Sequence, residues 1–124
     1  MWMTSVWTGT MNESDTKVSS KEAAALVSAF YESLARGRMV DALDLVATDA
    51  VLRDESGNES RGIGAIARSL LPYREPNEIA LERIESTGPD VHVQFRTKKR
   101  ARRYRGSISV DRGRIRSVRL ERTS

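Results

Sequence analysis

The sequence predicts an α+β domain in which three helices precede an antiparallel sheet. Up to Leu70 the apolar residues recur at intervals of three and four, which is the spacing of one face of a helix. After Pro72 apolar residues alternate with polar ones, which is the spacing of a half-buried strand. Turn sequences at Thr87–Asp90 and Asp111–Gly113 divide this second part, so consecutive strands are expected to pair with each other.

The first helix is predicted from a start signal, an apolar stripe and a stop signal. Ser19 and Glu22 have the spacing of a capping box, and Gly37 is placed to end the helix. The stripe between these signals consists of Ala23, Leu26, Val27, Phe30 and Leu34. A short second helix is predicted with one apolar face formed by Met39, Ala42, Leu43 and Val46. The third, which Pro72 stops, has an apolar face of Ile63, Ile66, Ala67 and Leu70.

Five extended segments are predicted. A short one, Ala50–Asp54, leads into a turn at residues 56–58. The other four are Glu78–Glu85, Val91–Lys99, Arg102–Val110 and Arg114–Arg122. Alternation predicts an inner side with Val91, Val93, Phe95, Tyr104, Ile108 and Val110. It predicts an outer side with His92, Gln94, Arg96, Arg103, Arg105, Ser107 and Ser109. Ile115 and Val118 have opposite parity in the last strand, which predicts a bulge near Arg116-Ser117.

Length and composition restrict the classes of protein to which the chain can belong. The 124 residues suffice for one domain, predicted over residues 19–124, after a polar tail over residues 1–18 that is predicted to be disordered. The absence of cysteine excludes disulfides, thiolate metal sites and cysteine nucleophiles. No apolar run approaches the roughly 20 residues that cross a bilayer, and the N-terminus does not resemble a secretory signal. A cytoplasmic protein without membrane contact is therefore expected.

Several pieces of the sequence, in the same order and at similar spacing, resemble the nuclear transport factor 2-like superfamily, which includes SnoaL-like cyclases and ketosteroid isomerases. These pieces are Ala29–Gly37, Asp41–Leu43, Thr48–Val51, Arg61–Ile66, and Gly113–Ile115 with Val118-Arg119. The resemblance runs from about residue 20 to residue 122. It implies a cone-shaped roll, in which a curved sheet wraps around the first helix and leaves an apolar pocket. It also implies a possible homodimer formed through the outer face of the sheet. The fold alone does not assign an activity, because this scaffold carries several enzyme classes and plain binding modules.

Asp54 is the candidate general base. It aligns with the carboxylate that ketosteroid isomerases use to abstract a proton, and it shares strand parity with Leu52, which is expected to point inward. A carboxylate at the mouth of an apolar pocket can take a proton from a carbon next to a carbonyl. The alternative is that Asp54, which precedes a turn sequence, caps backbone amides of that turn.

The oxyanion hole of the steroid isomerases does not carry over to this sequence. Phe30 stands where the resemblance places a tyrosine, and Gly106 stands where it places a second acid. Tyr31 is rotated about 100° from Phe30 around the helix and is not expected to substitute for it. Steroid isomerisation is therefore not expected. Tyr104 is the replacement donor, with a core tyrosine as the alternative. The predicted ligand pocket consists of Phe30, Leu34, Leu52, Tyr73, Phe95 and Ile108.

Other catalytic constellations are weaker. The epoxide-hydrolase branch of the superfamily needs an Asp-Arg-Asp arrangement, and only one acid is expected to face inward. His92 is the only histidine and is predicted to face outward, so neither a two-histidine metal site nor a catalytic triad is expected. No cofactor is expected either, because the sequence has no phosphate-binding glycine loop.

Charge divides the chain into an acidic first part and a basic second part. Residues 94–124 contain twelve Lys and Arg against two acids, and residues 1–93 contain nine against fifteen. The candidate anion-binding residues are Arg96, Lys98, Lys99, Arg100, Arg102, Arg103 and Arg105. Few aromatic residues lie among them, so nucleic-acid binding is the less favoured interpretation. Two hypotheses remain: a domain that binds an apolar small molecule and catalyses a reaction next to its carbonyl, and a non-catalytic module whose basic strands engage an acidic partner.

Overall fold

The computed structural model describes residues 20–123, so the predicted tail and Ser19 lie outside the described residues. Three helices are present: α1 (Ser20–Ala35), α2 (Met39–Leu43) and α3 (Ile63–Leu70), with a 3₁₀ turn at Leu71–Tyr73. The predicted stripe of α1 is buried except for Leu26, which is partly buried, and Tyr31 is buried with it. Gly37 follows α1 with a φ of +76°, and the next amide, of Arg38, donates to the Ser33 carbonyl at 2.8 Å. The predicted helix end is therefore confirmed.

Six strands form one mixed sheet. They are β1 (Val46–Arg53), β2 (Glu59–Arg61), β3 (Ile79–Thr87), β4 (Asp90–Thr97), β5 (Arg103–Asp111) and β6 (Arg114–Arg122). The strand order is β2-β1-β6-β5-β4-β3, and β1 runs parallel to β6 while all other pairs are antiparallel. Helix α1 packs on β3 and β4, and α3 packs on β1 and β2. The α+β roll is thus confirmed, with one parallel pair that the sequence did not predict.

The first strand corrects two expectations. Val46 was expected on the apolar face of the second helix, but α2 ends at Leu43 and Val46 begins β1. The extended segment was expected to include Asp54, but β1 ends at Arg53. Pairing with β6 explains the greater length of β1, because Val46 aligns with Ile115 and Arg53 with Arg119. A parallel partner more than 60 residues away leaves no local sequence signal.

The alternation predicted for the later strands is confirmed. Burial alternates without a break along β4, and every predicted inner residue of β4 and β5 is buried. The predicted bulge in β6 is also present: Ser109 aligns with Ser117 and the next residue, Val110, aligns with Ile115. Arg112 and Gly113 both have positive φ, as a two-residue hairpin between β5 and β6 requires. The inner side chains of these strands and α1 form one core.

Candidate functional site

Four aromatic rings occupy the space between α1 and the inner side of the sheet. Phe30 and Tyr31 come from α1, and their ring centroids are 5.2 Å apart in an edge-to-face arrangement. Tyr31 lies 5.2 Å from Phe95 of β4, and Phe95 stacks on its cross-strand neighbour Tyr104 of β5 at 5.4 Å. Each of these rings is at most 3% exposed. The interior of the cone is thus lined and largely occupied by aromatic side chains.

Tyr31 is the functional candidate that the sequence interpretation missed. Its hydroxyl lies 3.5 Å from the point where a side chain at Gly106 would begin, so Tyr31 reaches the inner side of the sheet. The rotation of about 100° between Phe30 and Tyr31 therefore does not keep the Tyr31 hydroxyl away from the inner side of the sheet. Burial, and to a lesser degree Tyr73, raises the pKa of the Tyr31 phenol. The helical spacing of Ala23, Val27 and Tyr31 could have identified it.

Tyr73 is a further tyrosine that packs against the core. It lies in the 3₁₀ turn after α3 and is only partly buried. Burial raises the pKa of Tyr73 to about 12, with smaller contributions from Tyr104, Glu55 and Asp54, while Arg100 opposes the shift. Tyr104 and Asp54, which the sequence analysis also selected, are thus among the groups that influence the Tyr73 phenol, and their roles in a ligand site stay predictions.

Asp54 lies immediately after β1 and organises the turn that follows. Its Oδ1 accepts hydrogen bonds from the amides of Ser56 and Asn58, both at 2.9 Å. Its own amide donates to the Asn58 carbonyl at 2.9 Å, and its carbonyl accepts from Gly57 at 3.0 Å. These contacts are those of the capping alternative. Both side-chain bonds end on Oδ1, so Oδ2 is the oxygen that could take a proton, and the role of general base stays a prediction.

The contacts of Asp54 predict different effects for two substitutions. Asp54→Ala removes both amide bonds and is expected to lower the free energy of unfolding by about 1 kcal/mol. Asp54→Asn keeps an oxygen that can accept both bonds, so its effect on stability is expected to be within about 0.5 kcal/mol. Urea denaturation of the two variants measures the difference. Equal destabilisation by both variants would show that the negative charge of Asp54 contributes more to the free energy of unfolding than its hydrogen bonds to the turn amides do.

The other predicted pocket residues lie together around the aromatic rings. Leu34, Leu52 and Ile108 are each at most 4% exposed, as are Phe30 and Phe95. Only Tyr73 among the predicted pocket residues is partly accessible. A ligand that enters the interior must therefore displace side chains.

The phenols predict how stability changes at alkaline pH. The pKa of Tyr73 is raised from the usual value of 10.0 to about 12, and that of Tyr31 is raised as well. Between pH 10 and 12 the unfolded chain loses phenolic protons that the folded chain keeps. Stability is therefore expected to be complete below pH 10 and to fall as the pH rises towards 12. Urea denaturation at several pH values measures this fall, and it is expected to be smaller in Tyr73→Phe.

The predicted basic residues fall into two groups. Arg96 and Arg103 both face Glu82, with Nε–carboxylate distances of 3.9 and 3.4 Å. Arg105 is exposed on the outer side of β5, Lys98, Lys99 and Arg100 are exposed in the β4–β5 turn, and Arg102 is partly buried beside them. Within the described chain Glu82 faces Arg96 and Arg103, Glu85 pairs with Arg83, and Glu78 accepts a backbone amide.

The described part of the chain offers neither a metal-binding group nor a membrane-spanning helix. Between residues 20 and 123 there is no group of three His, Asp or Glu residues placed to hold a metal ion. No helix in the same range is long and apolar enough to cross a membrane. His92 is exposed on the outer side of β4, where Nδ1 lies 3.4 Å from the Ser107 hydroxyl.

Comparison with known proteins identifies the fold. No protein-family model and no curated protein matches the sequence. An NTF2-like protein of unknown function from Mesorhizobium loti superimposes with a TM-score of 0.75 at 17% identity, covering 85% of this chain and 93% of that one. An LEH-like epoxide hydrolase from M. tuberculosis gives 0.67 at 22% identity, covering 84% of each chain. A ketosteroid isomerase-like protein from Kribbella flavida gives 0.70 at 16% identity, covering 85% and 80%. Residues 20–123 therefore adopt the nuclear transport factor 2-like fold.

Proposed function

We propose that the chain is a SnoaL-like domain that binds an apolar, carbonyl-bearing small molecule between α1 and the inner side of the sheet. The observation that carries this proposal is the stack of Tyr31, Phe95 and Tyr104 in an apolar core, with the Tyr31 hydroxyl over Gly106 on the inner side of the sheet. Apolar walls supply affinity for such a ligand, and a few convergent polar groups orient it. The fold supports the proposal, since structures that share it include an epoxide hydrolase and a ketosteroid isomerase-like protein.

The proposed path into the interior passes Tyr73. This residue belongs to a three-residue 3₁₀ turn and is partly accessible, whereas the rings beneath it are at most 3% exposed. Displacing a short surface turn breaks few contacts compared with displacing a strand of the sheet. The bound molecule then contacts the stacked rings of Phe95 and Tyr104.

The proposed chemistry is that of a lyase, isomerase or cyclase acting next to the ligand carbonyl. Asp54 Oδ2 takes a proton from the carbon beside the carbonyl, and the electrons of that C–H bond pass into the carbonyl to form an enolate. The Tyr104 hydroxyl donates a hydrogen bond to the oxygen that becomes negative. Tyr31 is a second donor, because its hydroxyl lies over Gly106. The steroid isomerase reaction is not proposed, because the second acid of its oxyanion hole is glycine here.

A thermal-shift screen of apolar ketones, esters and lactones tests the proposal. A compound that binds the folded chain but not the unfolded chain raises the melting temperature. Tyr104→Phe, which keeps the ring and removes the hydroxyl, is expected to weaken a hit about tenfold. Asp54→Asn is expected to bind the same hit and to lose any turnover of it. If a hit binds the wild type, Tyr104→Phe and Tyr31→Phe equally, the proposed site is wrong.

The filled interior favours a second candidate function, that of a non-catalytic module in which the basic strands engage an acidic partner. Lys98, Lys99 and Arg100 are three consecutive exposed cations at the end of the sheet. Binding of this kind weakens steeply with salt, whereas occupation of an apolar interior does not. Titration of the chain with an acidic peptide and with a single-stranded RNA, at low and at physiological salt, tests this candidate and its partner class.

The proposal includes the assembly and the location of the chain. A cytoplasmic homodimer is proposed from the cysteine-free sequence and from the family resemblance. Its contact surface is expected on the outer side of the sheet, which carries Gln94, Arg105 and Ser107. Light scattering after size exclusion measures the mass, and a monomer at all concentrations would contradict the dimer.

A further inference from the structure

A cavity lies outside the aromatic interior, beside the turn that joins β4 to β5. It is a cleft of about 550 Å³ between the residues that precede β3 and the β4–β5 turn. Asn77 and Glu78 form one wall, and Arg96, Thr97, Lys98 and Arg103 form the other. A cavity of this size accommodates a small organic molecule.

The walls of the cleft are held in place by backbone hydrogen bonds. The Glu78 carbonyl accepts the Lys98 amide at 2.8 Å, and the buried Glu78 carboxylate accepts the Lys99 amide at 3.1 Å. Asn77 precedes Glu78, and its amide donates to the carbonyl of Ala35, the last residue of α1, at 2.6 Å. These bonds fix the turn relative to β3, so the cleft exists before any ligand binds.

Strained backbone is concentrated at this cleft. Three non-glycine residues of the described chain have positive φ, and two of them, Asn77 at +65° and Ala101 at +51°, line the cleft. Alanine is rarely found in this conformation, because its Cβ crowds the backbone and it has no polar group to compensate. Such strain persists only where the surroundings enforce it, and it is often associated with a binding function.

The charge of the cleft suits an anion. Arg96, Lys98 and Arg103 contribute three positive charges, and Glu82 and Glu78 contribute two negative ones. Both arginines face Glu82 through Nε, and Lys99 and Arg100 add further positive charge from the turn. Thr97 also lines the cleft, but it is 3% exposed and has the same parity as Phe95, so its hydroxyl lies on the inner side of β4, away from these cations. Guanidinium and ammonium groups can bind the oxygens of a carboxylate or a phosphate.

We propose that this cleft binds a small organic anion through a carboxylate or phosphate group held by Arg96, Lys98 and Arg103. The site is separate from the aromatic interior and does not depend on the function proposed for it. Carboxylate and phosphate share the anionic oxygens that these donors recognise. Benzoate, which carries a carboxylate, and inorganic phosphate are used as probes to show which of the two groups the cleft binds.

Titration of ¹⁵N-labelled full-length chain with each probe, followed by NMR, tests the proposal. Saturable shifts at the amides of Lys98, Lys99 and Ala101 are expected at millimolar probe. Lys98→Gln removes one cation and is expected to weaken binding about threefold to tenfold. Glu78→Gln removes one negative charge but keeps an oxygen for the Lys99 amide, so it is expected to tighten binding by a similar factor.

The control is Arg112→Gln, which makes the same change of charge in the turn at the opposite end of β5. Its affinity for either probe is expected to equal that of the wild type. Equal weakening by Arg112→Gln and Lys98→Gln would mean that the probes respond to net charge, and the site would be wrong. Absence of saturable shifts with both probes, or weaker binding by a folded Glu78→Gln variant, would also overturn it.

Discussion

Phe95→Ala is expected to lower the free energy of unfolding by about 3–5 kcal/mol. Phe95 is 1% exposed and lies between Tyr31 and Tyr104, with ring centroids at 5.2 and 5.4 Å. Removing it leaves a cavity and separates two rings that contact each other only through it. Urea denaturation, with the midpoint and slope both fitted, measures the change.

Phe95→Leu is the matched control, because it keeps most of the buried volume and removes only the aromatic ring. Its expected cost is about 1–1.5 kcal/mol. If Phe95→Ala costs less than about 1.5 kcal/mol, the interior either collapses onto the space or already contains room that the burial of these rings does not indicate.

The same variant bears on how the interior could hold a ligand. An apolar cavity in a protein core remains empty of water and can bind a small aromatic molecule. Benzene or indole is therefore expected to raise the melting temperature of Phe95→Ala and to leave that of the wild type unchanged. A rise in the wild type as well would mean that the native interior opens to an aromatic guest without any substitution, which would strengthen the proposed small-molecule function.

Local pattern was sufficient to predict most of the fold. The stripe of α1, the alternation in β4 and β5, and the bulge in β6 all arise from residues close in sequence, and the structure confirms them. When every second residue is buried over eight consecutive residues, few structures other than a strand with one buried side explain the pattern. The glycine after α1 and the turn at Arg112-Gly113 are equally local.

Features that depend on distant partners could not be predicted in the same way. β1 owes its length to parallel pairing with β6, and Asp54 is outside the strand because that pairing ends at Arg53. Glu82 lies at the break in register between β3 and β4, which brings it to Arg96 and Arg103. The choice between Phe30 and Tyr31 as the ring over Gly106 depends on the rotation of α1 over the sheet, which only the packed structure shows.

Gly106→Ala is expected to lower the free energy of unfolding by about 1–3 kcal/mol, although it adds a single methyl group. A Cβ built at Gly106 lies 2.9 Å from Val93 Cγ2 and 3.5 Å from both Leu120 Cδ2 and the Tyr31 hydroxyl. Val93 is the cross-strand neighbour of Gly106 and is 1% exposed, so its methyl group cannot move into open space. Gly64→Ala is the control: nothing lies within 4 Å of its Cβ position in α3, and alanine is expected to stabilise that helix by up to about 1 kcal/mol.

A double-mutant cycle with Val93→Ala separates steric crowding from any other effect of Gly106→Ala. Val93→Ala removes the atom that crowds the new methyl group, so Gly106→Ala in that background is expected to cost close to nothing. The interaction energy between the two sites is then expected to equal the cost of the single Gly106→Ala substitution, about 1–3 kcal/mol. Additive effects would mean that the crowding lies elsewhere, with the Tyr31 hydroxyl as the remaining contact. Gly106 would in that case matter because it leaves room for the hydroxyl of Tyr31, the group through which α1 reaches the proposed ligand site.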